Sequence, residues 1–193
     1  MSEQTISYPP PHWLSPLIEQ VKVIDKCLTI EEAKRALSAL RVDAKEVLRA
    51  ARLDPRFYTR TSVWCTEYLE VLIMGWLPGQ MSPLHNHKGS ICAVQVLAGE
   101  ALEVGYEKSE PGYLSPLDLA KFPQGSIAVS EDEEIHQFGN ASSNPMVSLH
   151  LYSPPLTLAE TFPETASILT TKSFASMRSQ GKFVVETWVN SHI

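Results

Sequence analysis

Three histidines stand at positions in the sequence that suit the binding of one metal ion. His85 and His87 are separated by a single residue, so on a β-strand both side chains point to the same face and both imidazoles can reach one ion. His136 lies near the end of a later predicted strand and could supply a third nitrogen. A His-X-His pair alone is also common as ordinary structure. Because imidazole suits iron, zinc, copper and nickel alike, the pattern predicts a metal site and leaves the metal open.

Tyr58 and Arg60 precede the histidine pair and would share one face of an extended segment. The Arg60 guanidinium stays charged and can hold a substrate carboxylate through two hydrogen bonds, and the Tyr58 hydroxyl can add another. The alternative is an ordinary surface arginine on an edge strand. The pair is therefore a candidate binding site for a carboxylate.

A downstream segment alternates polar and apolar residues. Ser148, His150 and Tyr152 would lie on one face of a strand, with aliphatic residues on the other face. Buried hydroxyls and imidazoles need hydrogen-bond partners, so an enclosed face favours a linear relay from the serine through the histidine to the tyrosine. The same alternation fits the solvated side of an antiparallel sheet, and the sequence leaves both interpretations open.

The histidine pair stands in a frame that resembles the first motif of the cupin family, with Cys92 where most cupins carry a glutamate ligand. His136 and Asn140 resemble the closing residues of the second cupin motif, whose other residues are not matched. Three neutral imidazoles leave a divalent ion at its full charge, which favours a thiolate ligand and lowers the pKa of that thiol on binding. In chain order the frame is Gly79, His85, His87, Cys92 and Gly99.

A wider set of residues resembles the cysteine dioxygenase family, in the right order and over about half of the chain. The resemblance implies a cupin fold and iron(II) held by the three histidines. It further implies L-cysteine and O2 as substrates and cysteine sulfinic acid as the product. The matching residues are Tyr58, Thr59, Arg60, Trp76, His85, Asn86, His87, Cys92, His136, Asn140 and the run from Ser148 to Pro155.

The same resemblance assigns roles to single residues. Arg60 and Tyr58 would hold the carboxylate of the substrate. Tyr152 would place its hydroxyl beside the bound substrate, and His150 and Ser148 would orient that hydroxyl.

Two covalent features are also implied by the resemblance. Some family members join the cysteine that matches Cys92 to the tyrosine that matches Tyr152 by a thioether, and both partners are present. Gly89 interrupts the strand before Cys92, so alternation does not decide whether this thiol faces the metal, and an ordinary buried thiol is the alternative. The peptide bond that matches Ser153–Pro154 is often cis in the family.

Three other functions compete with this interpretation. A dioxygenase for 3-mercaptopropionate would use the same chemistry, although Arg60 and Cys92 favour cysteine by resemblance. A non-catalytic metal-binding cupin would explain the histidines without explaining why Arg60, Tyr58, Cys92 and Tyr152 occur together. A zinc or nickel hydrolase or isomerase is the third, but no candidate glutamate base stands at a fixed spacing from the histidines.

The elements that must position these residues fall into two parts. Capping signals at Ser15, Thr29 and Asp43 predict two or three helices that cover one end of a sheet within residues 1–55. Short β-branched and aromatic runs predict a mainly β structure for residues 56–193, as a double-sheet, jelly-roll-like cupin β-barrel that leaves few open strand edges. We expect a single domain. The predicted strands include residues 68–77, 93–97 and 126–130 and a late outer strand at residues 183–189.

The composition excludes several function classes. A net charge of −6 and a pI near 5.5 give no basic field for nucleic acid or an anionic membrane. No apolar run approaches the length of a bilayer span, and the opening residues lack the features of a signal peptide, so we expect a cytoplasmic protein. Cys27, Cys65 and Cys92 are odd in number and widely spaced, which does not suggest a disulfide framework. A monomer with small-molecule partners is the remaining expectation.

Overall fold

Three short α-helices precede the β-strands in the computed structural model, which describes residues 10–110, 113–157 and 159–162. Helix α1 spans Ser15–Val21, α2 spans Ile30–Ser38 and α3 spans Ala44–Ala50. Buried aliphatic residues of these helices pack against apolar residues of β-strands, including Leu149 and Leu151. The predicted helical cover over a sheet is therefore observed.

The helix starts follow the capping signals in two of three cases. Thr29 and Glu32 form a reciprocal capping box at α2, and the Asp43 carboxylate accepts from two backbone N–H groups at the start of α3. The prediction that Ser15 caps α1 is wrong. Leu14 takes the capping position without a side-chain bond, because a 3₁₀ turn from His12 to Leu14 runs directly into the helix.

Ten strands follow in the described residues and form two five-stranded antiparallel sheets. The sheet orders are β1-β2-β9-β4-β7 and β10-β3-β8-β5-β6. The predicted strands at 68–77, 93–97 and 126–130 correspond to β2, β4 and β7. In chain order the strands are β1 (Thr59–Cys65), β2 (Glu70–Trp76), β3 (Leu84–His85), β4 (Ile91–Ala98), β5 (Glu100–Glu110), β6 (Tyr113–Pro123), β7 (Ile127–Ser130), β8 (Ile135–Gly139), β9 (Met146–Ser153) and β10 (Thr161–Phe162).

Strand β9 lies at the centre of the first sheet, between β2 and β4, and all eight of its residues are buried. Its aliphatic side chains belong to the core beneath the helices, whereas Tyr152 and Met146 belong to a second core that also contains Phe122 and Phe138 of the other sheet. The polar face of β9 is thus enclosed between the sheets. The solvated alternative for this face is wrong.

A glycine allows the sharp turn between β4 and β5. Gly99 has φ of +82°, a conformation that other residues rarely adopt. A Cβ atom at this position would also lie 2.8 Å from the Pro145 carbonyl oxygen. The turn glycine of the predicted motif therefore serves backbone geometry and close packing together.

The mainly β, two-sheet architecture with three N-terminal helices confirms the predicted fold class. The predicted strand at residues 183–189 lies outside the described residues. No helix among the described residues is both long and apolar enough to cross a bilayer. The single-domain organisation stays a prediction.

Candidate metal and substrate site

The three predicted histidines converge at one end of the second sheet. One ring nitrogen from each of His85, His87 and His136 lies within 4.8 Å of the others. His85 and His136 are direct partners in the pairing of β3 with β8, and His87 follows the end of β3. The Nε2 atoms of His87 and His136 are 3.2 Å apart. The sheet therefore brings together imidazoles that are about fifty residues apart in sequence.

Two of these rings have their Nδ1 atoms engaged by acceptors. His85 Nδ1 lies 2.9 Å from the Pro83 carbonyl oxygen, and His136 Nδ1 contacts the Glu103 carboxylate. A carbonyl or a carboxylate can only accept, so each of these Nδ1 atoms carries a proton, and in the neutral form of the ring the lone pair is on Nε2. This is the tautomer in which Nε2 can bind a metal.

Glu103 is a residue of the candidate site that the sequence interpretation missed. It lies on β5, opposite Phe138 of β8, so its side chain reaches the neighbouring His136 across the strand pair. A signal was present, since Glu103 is a single carboxylate in the otherwise apolar run Ala101-Leu102-Glu103-Val104. Burial of such a group calls for a charged or hydrogen-bonding partner.

The donor set fits a cation. Burial, with His136 next to it, lowers the pKa of His85 to about 4, and burial with His136 and His85 lowers the pKa of His87 to about 2. Neutral rings offer lone pairs to a cation, and one nitrogen of each of the three rings lies close enough to the others to bind a single ion. His87 Nδ1 is buried without a hydrogen-bond partner among the described residues. A divalent ion held by His85, His87 and His136 would occupy the point at which their ring nitrogens converge.

The histidines line a cavity of about 120 Å³ together with Tyr58, Arg60 and Cys92. Arg60 lies on the edge strand β1 and is exposed, as the surface alternative expected, yet its side chain also lines the cavity. The Tyr58 ring stacks on Trp76 with ring centroids 4.5 Å apart. The two candidate carboxylate-binding residues therefore meet at the cavity that the histidines line.

The polar face of β9 forms the predicted relay. Ser148 Oγ lies 2.8 Å from His150 Nε2, and His150 Nδ1 lies 3.4 Å from the Tyr152 hydroxyl. The relay has one more member than expected, because Trp76 Nε1 donates to Ser148 Oγ at 2.9 Å. Burial lowers the pKa of His150 well below 6.5 and raises the pKa of Tyr152 well above 10.0. The ring is neutral and the phenol protonated at neutral pH.

Cys92 faces the cavity and is 1% exposed. It is the direct partner of Tyr152 in the pairing of β4 with β9, and burial raises the pKa of its thiol. The sequence left its orientation undecided at Gly89. The structure places thiol and phenol side by side at the cavity wall.

A segment after β9 forms another part of the wall. The Asn86 side chain donates to Glu160 Oε2 at 3.1 Å and accepts from Glu160 N at 3.2 Å. Thr161 pairs with His85 and also lines the cavity. The chain reaches this position after the peptide bond Ser153–Pro154, which is cis, as the resemblance implies.

Two packed sheets with three histidines at one end define a cupin-type, double-stranded β-helix protein. A solved protein with a double-stranded β-helix domain from Klebsiella pneumoniae subsp. pneumoniae superposes with a TM-score of 0.51 at 18% identity, covering 65% of this chain and 93% of that one. The chain belongs to the family described as cysteine dioxygenase type I, whose model matches residues 3–165.

Named relatives agree with this family assignment. Cysteine dioxygenase type 1 of Danio rerio is 27% identical over 163 residues, covering 80% of this chain and 81% of the relative. Cysteine dioxygenase type 1 of Homo sapiens is 26% identical over 165 residues, covering 83% and 81%. The predicted family and fold are confirmed.

Proposed function

We propose that the protein is an iron(II)-dependent thiol dioxygenase that converts L-cysteine and O2 to cysteine sulfinic acid. The observation that carries the proposal is the convergence on one cavity of three imidazoles, a carboxylate-binding pair and the Cys92–Tyr152 pair. Family membership supports the same activity. We also retain the predictions of a monomer and a cytoplasmic location.

His85, His87 and His136 would hold the ion through their Nε2 atoms. Glu103 keeps His136 in the ligating tautomer, and the Pro83 carbonyl does so for His85. When bound, iron(II) would supply the Lewis acidity that lowers the pKa of the substrate thiol and the redox activity that O2 chemistry requires. With only neutral protein ligands, the site favours a thiolate as the charge-balancing partner.

Arg60 and Tyr58 would select the substrate at its other end. An exposed guanidinium at the cavity wall can hold a carboxylate through two N–H donors, and the stack on Trp76 keeps the Tyr58 ring beside it. A cavity of about 120 Å³ is of the size that binds one small ligand. Together these features suit a short amino acid with an anionic sulfur.

Tyr152 would stabilise the reacting sulfur and oxygen atoms through its hydroxyl. The phenol stays protonated because burial raises its pKa, so it is available as a donor to developing negative charge. The overall reaction places both atoms of O2 on the substrate sulfur, which is the sulfinic stage of thiol oxidation. Holding sulfur in one enclosed place favours this stage over release of a sulfenic acid.

The test is thiol-dependent oxygen consumption by the protein loaded with iron(II). We expect uptake with L-cysteine, weaker uptake with 3-mercaptopropionate, and two ¹⁸O atoms in the sulfinate when ¹⁸O₂ is used. A preference for 3-mercaptopropionate would replace the proposed substrate. Tight metal binding without thiol-dependent uptake would favour a non-catalytic cupin instead. Zinc-loaded protein serves as the control without redox activity.

A further inference from the structure

The proposed function uses Trp76 only as the stacking partner of Tyr58, although Trp76 also contacts the Ser148–His150–Tyr152 relay. It ends β2, is 1% exposed, and donates from Nε1 to Ser148 Oγ at 2.9 Å. Its ring also stacks on Tyr58, which lines the cavity. An indole N–H is only ever a donor, so the direction of this bond is known without any assignment of hydrogen positions.

Because Trp76 donates, the direction in which the Ser148 hydroxyl donates its own proton is also determined. The hydroxyl has one proton and two lone pairs, and the indole proton occupies one lone pair and blocks that side of Oγ. Ser148 is fully buried, so its own proton needs an acceptor. His150 Nε2 at 2.8 Å is the acceptor within reach among the described residues. Ser148 therefore donates to His150.

The tautomer of His150 follows from the direction in which Ser148 donates. Burial keeps the ring neutral, so it carries one proton. Because Nε2 accepts, that proton sits on Nδ1 and points to the Tyr152 oxygen at 3.4 Å. The bond is long, as catalytic hydrogen bonds often are before substrate binds. Tyr152 then accepts on one side, and its own proton points to the cavity side, where the Cys92 side chain lies within hydrogen-bonding reach.

We infer that Trp76 is a positioning residue that sets the direction of the whole chain of hydrogen bonds, so that Tyr152 meets the substrate as a donor. This inference rests on the proposed function, because it specifies how the Tyr152 hydroxyl is presented to a thiol substrate. The reverse order would have Tyr152 donate to His150 and face the substrate with a lone pair. A lone pair there would repel a thiolate.

Packing keeps the indole in the position that this role requires. Besides the Tyr58 stack, Phe138 meets the ring edge-on with centroids 5.8 Å apart. The Trp76 carbonyl oxygen accepts from Asn140 Nδ2 at 3.2 Å. Phenylalanine at position 76 would keep an aromatic ring in this packing, but it would lose the N–H and the volume of one ring. The space released beside Ser148 would admit a water, which can accept the serine proton and leave His150 Nε2 free to carry its own.

The test compares wild type with Trp76→Phe, using Met146→Leu as the matched control. Met146 is the buried cross-strand partner of Trp76 and belongs to the same core. In the ¹⁵N spectrum of full-length, zinc-loaded protein with labelled histidine, His150 is identified by its absence in His150→Gln. We expect a single Nδ1–H tautomer in wild type and Met146→Leu, and both tautomers in Trp76→Phe.

Kinetics supply the second readout on iron-loaded protein. If only the correctly ordered fraction turns over, Trp76→Phe lowers kcat by roughly two- to tenfold with little change in KM for L-cysteine. Ser148→Ala should also allow both tautomers of His150, because it removes the donor to Nε2. This variant is used instead of Trp76→Phe if Trp76→Phe does not fold. An Nε2–H tautomer in wild type, or an unchanged tautomer in the variants, overturns the inference. Absence of thiol oxidation would instead refute the proposed function, since the tautomer readout does not depend on turnover.

Discussion

Replacing Glu103 by glutamine should weaken metal binding while leaving all three histidine ligands in place. The Glu103 carboxylate accepts from His136 Nδ1, and both side chains are largely shielded, at 18% and 6% exposed. Glutamine keeps the shape and an accepting oxygen but removes the negative charge. The substitution therefore isolates the electrostatic part of the contact from the tautomer that it imposes.

The magnitude follows from the position of the carboxylate directly behind a ligand. Groups that bond to a metal-ligating histidine are typically worth 10- to 100-fold in metal affinity. Glu103→Gln should lie near the lower bound, about 1.4 kcal/mol. Glu103→Ala also leaves a buried N–H without a partner and should approach the upper bound, about 2.7 kcal/mol.

Competition with a chromogenic chelator measures these affinities, with zinc as a probe that does not oxidise. Glu107→Gln is the matched control, because it changes the net charge equally on the same strand, at an exposed position. Thermal unfolding of the metal-free variants shows whether the fold survives. Equal affinities of wild type, Glu103→Gln and Glu103→Ala would refute the reasoning that Glu103 supports the ligand.

Four further predictions test other parts of the site. Arg60→Gln should lower kcat/KM for L-cysteine by roughly 10- to 100-fold, mainly through KM, because a charge-assisted hydrogen bond is lost; steady-state oxygen uptake measures this, and an unchanged KM would place the carboxylate elsewhere. The iron-loaded protein after turnover should contain a fraction lighter by two hydrogens under reducing, denaturing conditions, and Cys92→Ser should lack it in the intact mass spectrum. Because burial lowers the pKa of His150 below 6.5, the unfolded chain binds a proton that the folded chain does not as the pH falls. The free energy of unfolding of metal-free protein should therefore fall as the pH drops through about 6.5 on account of this residue, and urea titration of His150→Gln should show a weaker dependence on pH. Asn86→Ala removes two side-chain bonds to Glu160 and should speed amide hydrogen exchange at residues 159–162, whereas unchanged exchange would show that these bonds do not hold the segment.

The features that could be predicted best from the sequence are those that depend on the alternation of side chains along a strand. Alternation placed Ser148, His150 and Tyr152 on one face of β9, and the one-residue spacing placed His85 and His87 on one side of the chain. Neither pattern could say that the polar face is enclosed. Enclosure depends on the second sheet, which contributes Phe138 to the opposite wall of the core.

The residues that sequence reasoning missed make contacts between distant parts of the chain. Glu103 meets His136 only through the register of β5 with β8, which no short motif encodes. The role of Glu160 depends in the same way on the pairing of β10 with β3. The prediction that Ser15 caps α1 failed for a local reason. The 3₁₀ turn from His12 to Leu14 precedes the helix directly, and its His12 carbonyl oxygen accepts from the backbone N–H of Ser15.

The site is divided between the two sheets, and this division explains why its parts hold their relative positions. His85, His136 and Glu103 lie on the second sheet and His87 follows its strand β3. Trp76, Tyr152 and Cys92 lie on the adjacent strands β2, β9 and β4 of the first sheet. Because β9 has a neighbour on each side, every side chain of the relay is confined by a cross-strand partner. The distance from phenol to ligands is thus set by the packed core between the sheets. A close-packed interior deforms little, so the packed strands hold the Tyr152 hydroxyl at a fixed position relative to the three histidines.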